Sequence, residues 1–235
     1  KTSFAEMGKY NSTSRYFIYE CDEFDRNFLA FSPFRSLITT VDWDHHDIYP
    51  TRDIYKSAFS QFISQSDHAT LHSKDAIYLG AVAGDSVSVI AEDDEQLTEI
   101  TLAGLHNRQN ALVVVRALSD TLNVPVESLV RILSEYPGSE RRFEKVNDNI
   151  YTDYAHTPEE ITATIQLAKE LNDRVVVVYE PLTNKRQHFM KELYKDIFTG
   201  VEKIYWLPSY LAREDPQQHV LTPQELICYL ADPSI

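Results

Sequence analysis

Apolar runs and amphipathic stretches alternate regularly along the second half of the chain. Strand-like patterns occupy residues 149–156, 173–180 and 203–208, and a helical pattern follows each of them, over 157–171, 185–198 and 222–231. Thr157 and Thr222 stand where helix N-caps belong, and Pro158 falls in a first helical turn. Because strands that alternate with helices form parallel sheets, the pattern predicts an α/β fold with a mainly parallel sheet.

The first half of the chain has a less regular pattern. Buried strands are expected at 16–20 and 36–41, and shorter β-like runs occupy 75–82, 86–91 and 97–104. Helical spacing of apolar residues predicts helices over 51–65, 107–122 and 125–136, with Pro125 in the first turn of the last one. The pattern changes near residue 146, which divides the chain into predicted domains 1–146 and 147–235.

Polar side chains that could hold a cation follow the first two predicted strands. Four acids come after the first strand: Glu20, Asp22, Glu23 and Asp25. The sequence "DWDHHD" follows the second and adds His45 and His46. Clustered carboxylates repel each other unless a cation or proton relieves them, and imidazole suits manganese or zinc better than magnesium. The alternatives are a solvated acidic turn and a helix cap formed by Asp47.

Other candidate ligand contacts occur at helix starts and in a basic pair. His106 and Asn107 open a helix, where backbone donors could contact a nucleotide. The alternatives are that Asn107 caps this helix and that His106 is a buried, hydrogen-bonded histidine. Arg141 and Arg142 are adjacent cations in an acidic chain, and arginine suits bidentate phosphate contacts.

Two further groups stand at the carboxyl ends of predicted strands of the second half. They are Asp153, Tyr154 and His156 in one group, and Lys185 and Arg186 in the other. Ligands of parallel sheets bind beyond the carboxyl ends of the strands, so both groups could line a ligand site. The alternatives are a helix boundary at Thr157 and a solvated helix start at Lys185.

The charge balance narrows the choice of partners, and the cysteine count indicates the redox compartment. The chain has 22 Lys and Arg against 36 Asp and Glu, a net charge of −14, which argues against nucleic acid or an anionic membrane as a partner. Two cysteines, Cys21 and Cys228, do not make a disulfide scaffold or a cysteine zinc module, and they fit a reducing cytoplasm. No apolar run approaches the ~20 residues of a membrane span.

Five of these stretches, taken in order, resemble the motifs of the Mur ligase superfamily, the ATP-dependent amide-bond-forming enzymes of bacterial cell-wall synthesis. They are "YECDEFDRNFL", "TTVDWDHHDIY", "GLHNRQNALVVVRAL", "PGSERRFE" and "TDYAHTPEEITATI". The resemblance runs from about residue 16 to the end of the chain, and "YLAREDP" at 210–216 adds to it. It is closest to the branch that joins L-alanine to UDP-N-acetylmuramate.

The resemblance implies three domains: a UDP-binding domain, a central ATP-binding domain and a Rossmann-like ligase domain. It places residues 1–146 in the later part of the central domain and 147–235 in most of the ligase domain. A phosphate loop of the form G-x-x-G-K-[ST] is absent from the sequence. The chain is therefore expected to be truncated at both ends, to need the N-terminal remainder of its own protein, and to be inactive alone.

The resemblance also implies roles for individual residues. ATP and Mg²⁺ would be the cofactors, with Mn²⁺ as the alternative ion, and UDP-N-acetylmuramate and an amino acid would be the substrates. Glu20 and His45 match the metal ligands. The nucleotide would be held by His106, Asn107, Arg142 and Asp153. The amino acid would be held by Tyr154, His156 and Arg186, and the catalytic residues would be Glu20, His45, His156 and Arg186.

Residues 179–186, with the sequence Y-E-P-L-T-N-K-R, depart from the alanine-adding pattern. Leu182 replaces a histidine, and Thr183 replaces a basic residue where one is present. The stretch is closer to the branch that reattaches a recycled murein tripeptide to the same sugar nucleotide, so a tripeptide is the alternative acceptor. Two other classes stay open: a metal-dependent phosphohydrolase that uses the same acids and histidine to activate water, and a non-catalytic binding module.

Overall fold

The computed structural model describes residues 10–212 and 214–235, which form two compact units. The first contains the described residues up to Leu102 together with His106–Pro137, and the second contains Ala103–Leu105 and Gly138–Ile235. This division lies earlier in the chain than the boundary expected near residue 146. The reason is that Glu144–Asn147 pairs with Ile150–Thr152, which places both segments in the second unit.

A three-stranded parallel sheet forms the base of the first unit. Strands β1 (Ser36–Ile38), β2 (Ala69–His72) and β3 (Val87–Ile90) lie side by side in that order. Helix α1 (Arg52–Gln65) shares one apolar core with β1, β2 and the following helix α2 (Ser73–Leu79). Thr51 caps α1 by accepting the amide of Ile54, so the helix predicted over 51–65 is confirmed.

Two more helices complete the first unit. Helix α3 (Leu105–Leu122) and helix α4 (Val126–Ser134) pack with Ile90 of β3 in a second apolar cluster. Both helices were predicted, and Pro125 is the N-cap of α4, one position before the expected first turn. None of the helices in the described ranges is long and apolar enough to cross a bilayer.

Three predictions for the first unit are wrong. Residues 16–20 are not a strand but an irregular, exposed stretch, with Ile18 91% exposed, because no other described strand pairs with them. Residues 75–82 fall largely in α2, which Gly80 ends in the left-handed conformation at φ 71°. Residues 97–104 contain one end of a 3-10 turn (Glu95–Thr98) and irregular chain rather than a strand.

The second unit combines an antiparallel hairpin with a parallel strand pair. Strands β4 (Glu144–Asn147) and β5 (Ile150–Thr152) form the hairpin, and β6 (Val176–Tyr179) lies parallel to β7 (Lys203–Trp206). The helices are α5 (Pro158–Leu171), α6 (Asn184–Met190) and α7 (Pro223–Ile227), and Thr157 and Thr222 cap α5 and α7 as predicted. The parallel pairing in both units confirms the predicted α/β class.

One face of the β6–β7 pair is covered and the other is exposed. Tyr179, Ile204 and Trp206 belong to the core of the second unit, whereas Val178 is 66% exposed. The composition of the run over 173–180 is that of a strand buried on both faces, but only one face of β6 is covered. The covered face carries an aromatic cluster in which Tyr179 and Tyr194 each lie 5.2 Å from the Trp206 ring.

Candidate functional site

In the first unit, the sequence "DWDHHD" and the acidic stretch before it meet at one point. His45 Nε2 lies 3.3 Å from the Oε1 atom of Glu23, and the same carboxylate oxygen accepts a 3.4 Å hydrogen bond from the Tyr55 hydroxyl. The Tyr49 hydroxyl donates a 2.6 Å hydrogen bond to the Glu23 carbonyl. Glu23 is thus held through both its side chain and its backbone, and His45 faces it.

The charge on Glu23 follows from this arrangement. Burial by itself would raise the pKa of Glu23, but the hydrogen bond from His45 and the attraction of its charge lower the pKa overall below the ordinary value. Glu23 is therefore a carboxylate at neutral pH, half-buried beside an imidazole. Once the proton between them is displaced, this pair offers one oxygen and one nitrogen ligand to a cation.

Glu20 does not share this environment. It lies in the exposed irregular stretch, whereas Glu23 is the half-buried acid that contacts His45. The geometry therefore favours Glu23 over Glu20 as the carboxylate that acts with His45. Glu23 stood among the clustered acids in the sequence, but nothing in that pattern marks which of the four turns inward.

The backbone around this pair is held in an uncommon conformation. Asp25, Arg26 and His45 have φ values of 53°, 60° and 51°, a region that residues other than glycine seldom occupy. The His45 amide donates a 2.7 Å hydrogen bond to Asp44 Oδ1, and the His45 carbonyl accepts the amides of Ile48 and Tyr49. Left-handed residues outside glycine cluster at functional sites, because the surrounding structure must compensate their cost.

Further contacts fix the loop that carries His45. The Val41 amide donates a 3.1 Å hydrogen bond to the buried carboxylate of Asp75, in the first turn of α2. Trp43 Nε1 donates to the Tyr49 carbonyl at 2.9 Å, and the Trp43 ring lies 4.3 Å from that of His46. His46 therefore packs within the loop, and Asp47 does not cap α1, since Thr51 does.

His106 and Asn107 lie inside the first turn of α3, so Asn107 is not the cap of that helix. Both side chains are half-buried. Just before them, the Gly104 amide donates a 2.9 Å hydrogen bond to Glu170 and the Leu105 amide donates a 3.1 Å bond to Gln166. Gly104 and Leu105 belong to the second unit, so both bonds lie within that unit.

In the second unit, two of the predicted contacts meet at one carboxylate, and a third lies against one of them. Glu160 Oε1 lies 3.7 Å from the Arg142 guanidinium, and Glu160 Oε2 lies 3.2 Å from His156 Nδ1. The Tyr154 ring lies 5.2 Å from the His156 ring, and the Arg141 guanidinium lies 4.5 Å from the Tyr154 ring centre. Glu160 had no predicted role, and the only sequence signal for it is its place three residues after a helix cap.

Asp153 connects the two chain segments of this cluster. Its Oδ2 accepts the Phe143 amide at 2.6 Å and its Oδ1 accepts the Ala155 amide at 2.7 Å. The Tyr154 amide donates a 2.9 Å bond to the Arg141 carbonyl. The segment with the two arginines is thereby fastened to the segment with Tyr154 and His156.

Arg186 lies in the first turn of α6, half-buried, and its amide donates to the hydroxyl of the cap residue Thr183 at 3.2 Å. Burial raises the pKa of the nearby Tyr179 to about 12, and Tyr179 also interacts electrostatically with Arg186 and Glu160. Arg186 and Glu160 therefore both lie within electrostatic reach of Tyr179. Lys185 is exposed, and its amide donates to Glu214 at 2.9 Å.

A complete protein cage for a metal is not formed by these groups. Among the described residues, no three His, Cys, Asp or Glu side chains are grouped so that they could hold a metal ion. The Glu23–His45 pair supplies two donors. Such a pair is compatible with an ion that takes its other ligands from water and substrate.

Comparison with known proteins identifies relatives for both units. Residues 141–227 match the family model "Mur ligase, glutamate ligase domain", and this range contains the Arg142–Glu160–His156 cluster. The UDP-N-acetylmuramate–L-alanine ligase of Lactobacillus delbrueckii subsp. bulgaricus is 32% identical over 237 residues, covering 87% of this chain and 54% of the relative. That of Lactobacillus acidophilus is 31% identical over 252 residues, covering 94% and 57%.

A solved structure agrees with these sequence matches. The crystal structure of UDP-N-acetylmuramate–alanine ligase from Thermotoga maritima superposes with a TM-score of 0.58 at 23% identity, covering 77% of this chain and 47% of the other, which supports the fold. The chain spans about half the length of the curated relatives it matches. The resemblance seen in the five motifs is thus confirmed over both units: the chain belongs to the Mur ligase family.

Proposed function

We propose that the protein is an ATP-dependent ligase of peptidoglycan synthesis that joins L-alanine to UDP-N-acetylmuramate. The observation that supports this most is the alignment with ligases of that name over 87–94% of the chain, which includes both the His45 loop and the Arg142–Glu160–His156 cluster. A family match to the second unit alone would not extend the proposal to the first.

The proposed reaction has two stages. A carboxylate oxygen of UDP-N-acetylmuramate attacks the γ-phosphorus of ATP, and ADP leaves, which gives an acyl phosphate. The alanine amine then attacks the acyl carbon, the amine loses a proton, and the C–O bond to phosphate breaks to release inorganic phosphate. Both stages bring anions together, so the chain's own contribution is cations at the phosphates and a fixed position for the amine.

In the first unit, we propose that Glu23 and His45 hold the divalent ion. Mg²⁺ usually retains several waters and binds one or two carboxylates together with substrate phosphates, so a site with two protein donors suits it. A histidine donor is less usual for Mg²⁺, which keeps Mn²⁺ as the alternative. When bound, the ion neutralises charge on the transferring phosphoryl group. Glu20, which the motif match indicates, remains the alternative carboxylate.

The nucleotide contacts proposed from the resemblance are His106, Asn107, Arg142 and Asp153. Arg142 has the supporting geometry, since its guanidinium is tethered at 3.7 Å by Glu160 and its side chain is still 56% exposed. Asp153 uses both oxygens for backbone amides, but each carboxylate oxygen can accept a second hydrogen bond, from a ribose hydroxyl. His106 and Asn107 are presented side by side by the first turn of α3.

The amino acid is proposed to contact Tyr154, His156 and Arg186. Arg186 could hold the carboxylate of the acceptor bidentately, while His156 lies beside the cluster that orients the phosphate contact Arg142. The acceptor could also be a murein tripeptide, because Leu182 and Thr183 depart from the alanine-adding pattern. The structure adds one observation in favour of this alternative: the Thr183 hydroxyl caps α6, so it serves the helix instead of adding a positive charge to the pocket.

The test is an acceptor competition with full-length protein. Phosphate release would be measured with ATP, Mg²⁺ and UDP-N-acetylmuramate while L-alanine, L-serine, glycine and the murein tripeptide are offered in turn. Amine-dependent release with L-alanine preferred supports the proposal, and preference for the tripeptide moves it to the recycling reaction. Phosphate release that needs no amine would indicate a phosphohydrolase. We also propose that residues 1–235 alone are inactive, because their sequence lacks the phosphate loop.

A further inference from the structure

Helices α5 and α7 begin with the same local arrangement. Each has the sequence Thr-Pro-x-Glu, and each forms a capping box in which the threonine hydroxyl accepts the glutamate amide at 3.3 Å. In return, the threonine amide donates to the glutamate carboxylate, at 3.1 Å for Glu160 and 2.8 Å for Glu225. Each glutamate also contacts a histidine, since Glu160 lies 3.2 Å from His156 and Glu225 lies 2.8 Å from His219.

The two glutamates differ in what else they hold. Glu160 Oε2 takes the cap amide and also the backbone amide of His156 at 2.9 Å, while Glu160 Oε1 lies toward Arg142 at 3.7 Å. Glu225 Oε2 accepts the amide and, at 2.8 Å, the hydroxyl of Thr222, and Glu225 Oε1 lies toward His219. A capping box needs one carboxyl oxygen. Each glutamate therefore uses its second oxygen beyond the helix start, Glu225 for His219 and Glu160 for Arg142, and only Arg142 is a predicted phosphate contact.

From this difference we propose that Glu160 is a positioning residue for the ligase reaction, holding Arg142 and His156 in a fixed mutual arrangement; this rests on the proposed function. Arg142 is a long, half-exposed side chain that would otherwise sample many rotamers. His156 Nδ1 lies 2.9 Å from the Tyr154 carbonyl and 3.2 Å from Glu160 Oε2, so these two contacts fix the orientation of the ring.

The test compares Glu160→Gln with Glu225→Gln in the full-length protein. Glutamine retains an oxygen for the cap amides, so both variants should melt at nearly the same temperature. It has no negative charge, however, to attract Arg142. Only Glu160→Gln should lower kcat and raise the KM for the acceptor, by roughly ten-fold or more, since a small misplacement of a contact residue has effects of this size. Equal kinetics in the two variants would overturn the proposal.

Two further measurements separate this proposal from the proposed function. If Glu160 acts through Arg142, Glu160→Gln should have a much smaller effect in an Arg142→Met background than in wild type, and fully additive effects would contradict the coupling. Crystal structures of both glutamine variants do not depend on any activity. In Glu160→Gln, the distance from the Arg142 guanidinium to the side chain of residue 160 should increase to more than about 4 Å. In Glu225→Gln, this distance should not change. Unchanged Arg142 and His156 positions in Glu160→Gln would overturn the proposal even if the protein catalyses a different reaction.

Discussion

Replacing Asp75 with asparagine should make the free energy of unfolding of the first unit less dependent on pH. Asp75 is 2% exposed in the first turn of α2, and its carboxylate accepts the Val41 amide at the start of the loop that carries His45. Burial raises the pKa of Asp75 to about 6, although the charge of Lys74 and the Val41 hydrogen bond oppose this. Asparagine has nearly the same shape and keeps an oxygen for Val41, but it does not ionise.

The sign and size of the effect follow from the two pKa values. Between its ordinary value of 3.8 and about 6, Asp75 binds a proton in the folded state but not in the unfolded state, so the free energy of unfolding falls as pH rises through that range. At about 1.4 kcal/mol for each pH unit, the full loss is about 3 kcal/mol as an upper limit. The stabilisation that the extra bound proton gives the folded state is complete below pH 3.8, the pKa in the unfolded chain, and absent above about pH 6.

The assay is urea unfolding from about pH 4 to about pH 7.5, with the fluorescence of Trp43 as reporter in a Trp206→Phe background. The two tryptophans lie in different units, so this background reports the first unit alone. Wild type should lose up to about 3 kcal/mol relative to Asp75→Asn over this range. Asp53→Asn, an exposed acid in the first turn of α1, is the matched control. Parallel curves for wild type and Asp75→Asn would refute the reasoning.

Three other predictions concern the sites and the core. In full-length protein at limiting Mg²⁺, His45→Ala and Glu23→Gln should each lower kcat on the order of 100-fold. The kcat of Glu20→Ala should stay near that of wild type. If Glu20→Ala lowers kcat more than Glu23→Gln does, Glu20 is the metal ligand instead. Arg186→Ala should cost roughly 1.5–3 kcal/mol, raising the KM for the acceptor but not for ATP, and equal changes in both would assign this arginine to the nucleotide. Leu71→Ala, fully buried in β2, should cost about 2–5 kcal/mol in urea unfolding, and a cost below about 1 kcal/mol would show that the sheet core tolerates its loss.

The helix starts of the second unit could be predicted because their signals are local. At Thr157 and Thr222, the cap residue and the glutamate three positions later form both bonds of the capping box, and the proline after the cap suits the first helical turn. No tertiary partner is needed for this pattern to be recognised. The same holds for Thr51, whose hydroxyl accepts the amide of Ile54.

Strand predictions failed where the deciding contact is distant. An apolar, aromatic stretch such as 16–20 has the composition of a strand, but a strand also requires a neighbour, and the described part of the chain provides none. Residues 75–82 show the converse, because Ala76 and Leu79 face the core at helical spacing and Gly80 supplies the helix end. Short apolar runs are ambiguous between the two periods until the core is known.

The choice between Glu20 and Glu23 shows why the site could be predicted only to within a few residues. The segment between Glu23 and Phe28 is held at both ends by α1: the Phe28 ring lies 5.1 Å from Phe59, and Glu23 accepts the hydroxyl of Tyr55. Which acid of this stretch faces inward therefore depends on α1, a helix that begins more than twenty residues later and packs against the buried Phe28. The motif match indicates Glu20, which lies in the exposed stretch 16–20. The contacts with α1 favour Glu23, which accepts the Tyr55 hydroxyl and lies 3.3 Å from His45 Nε2.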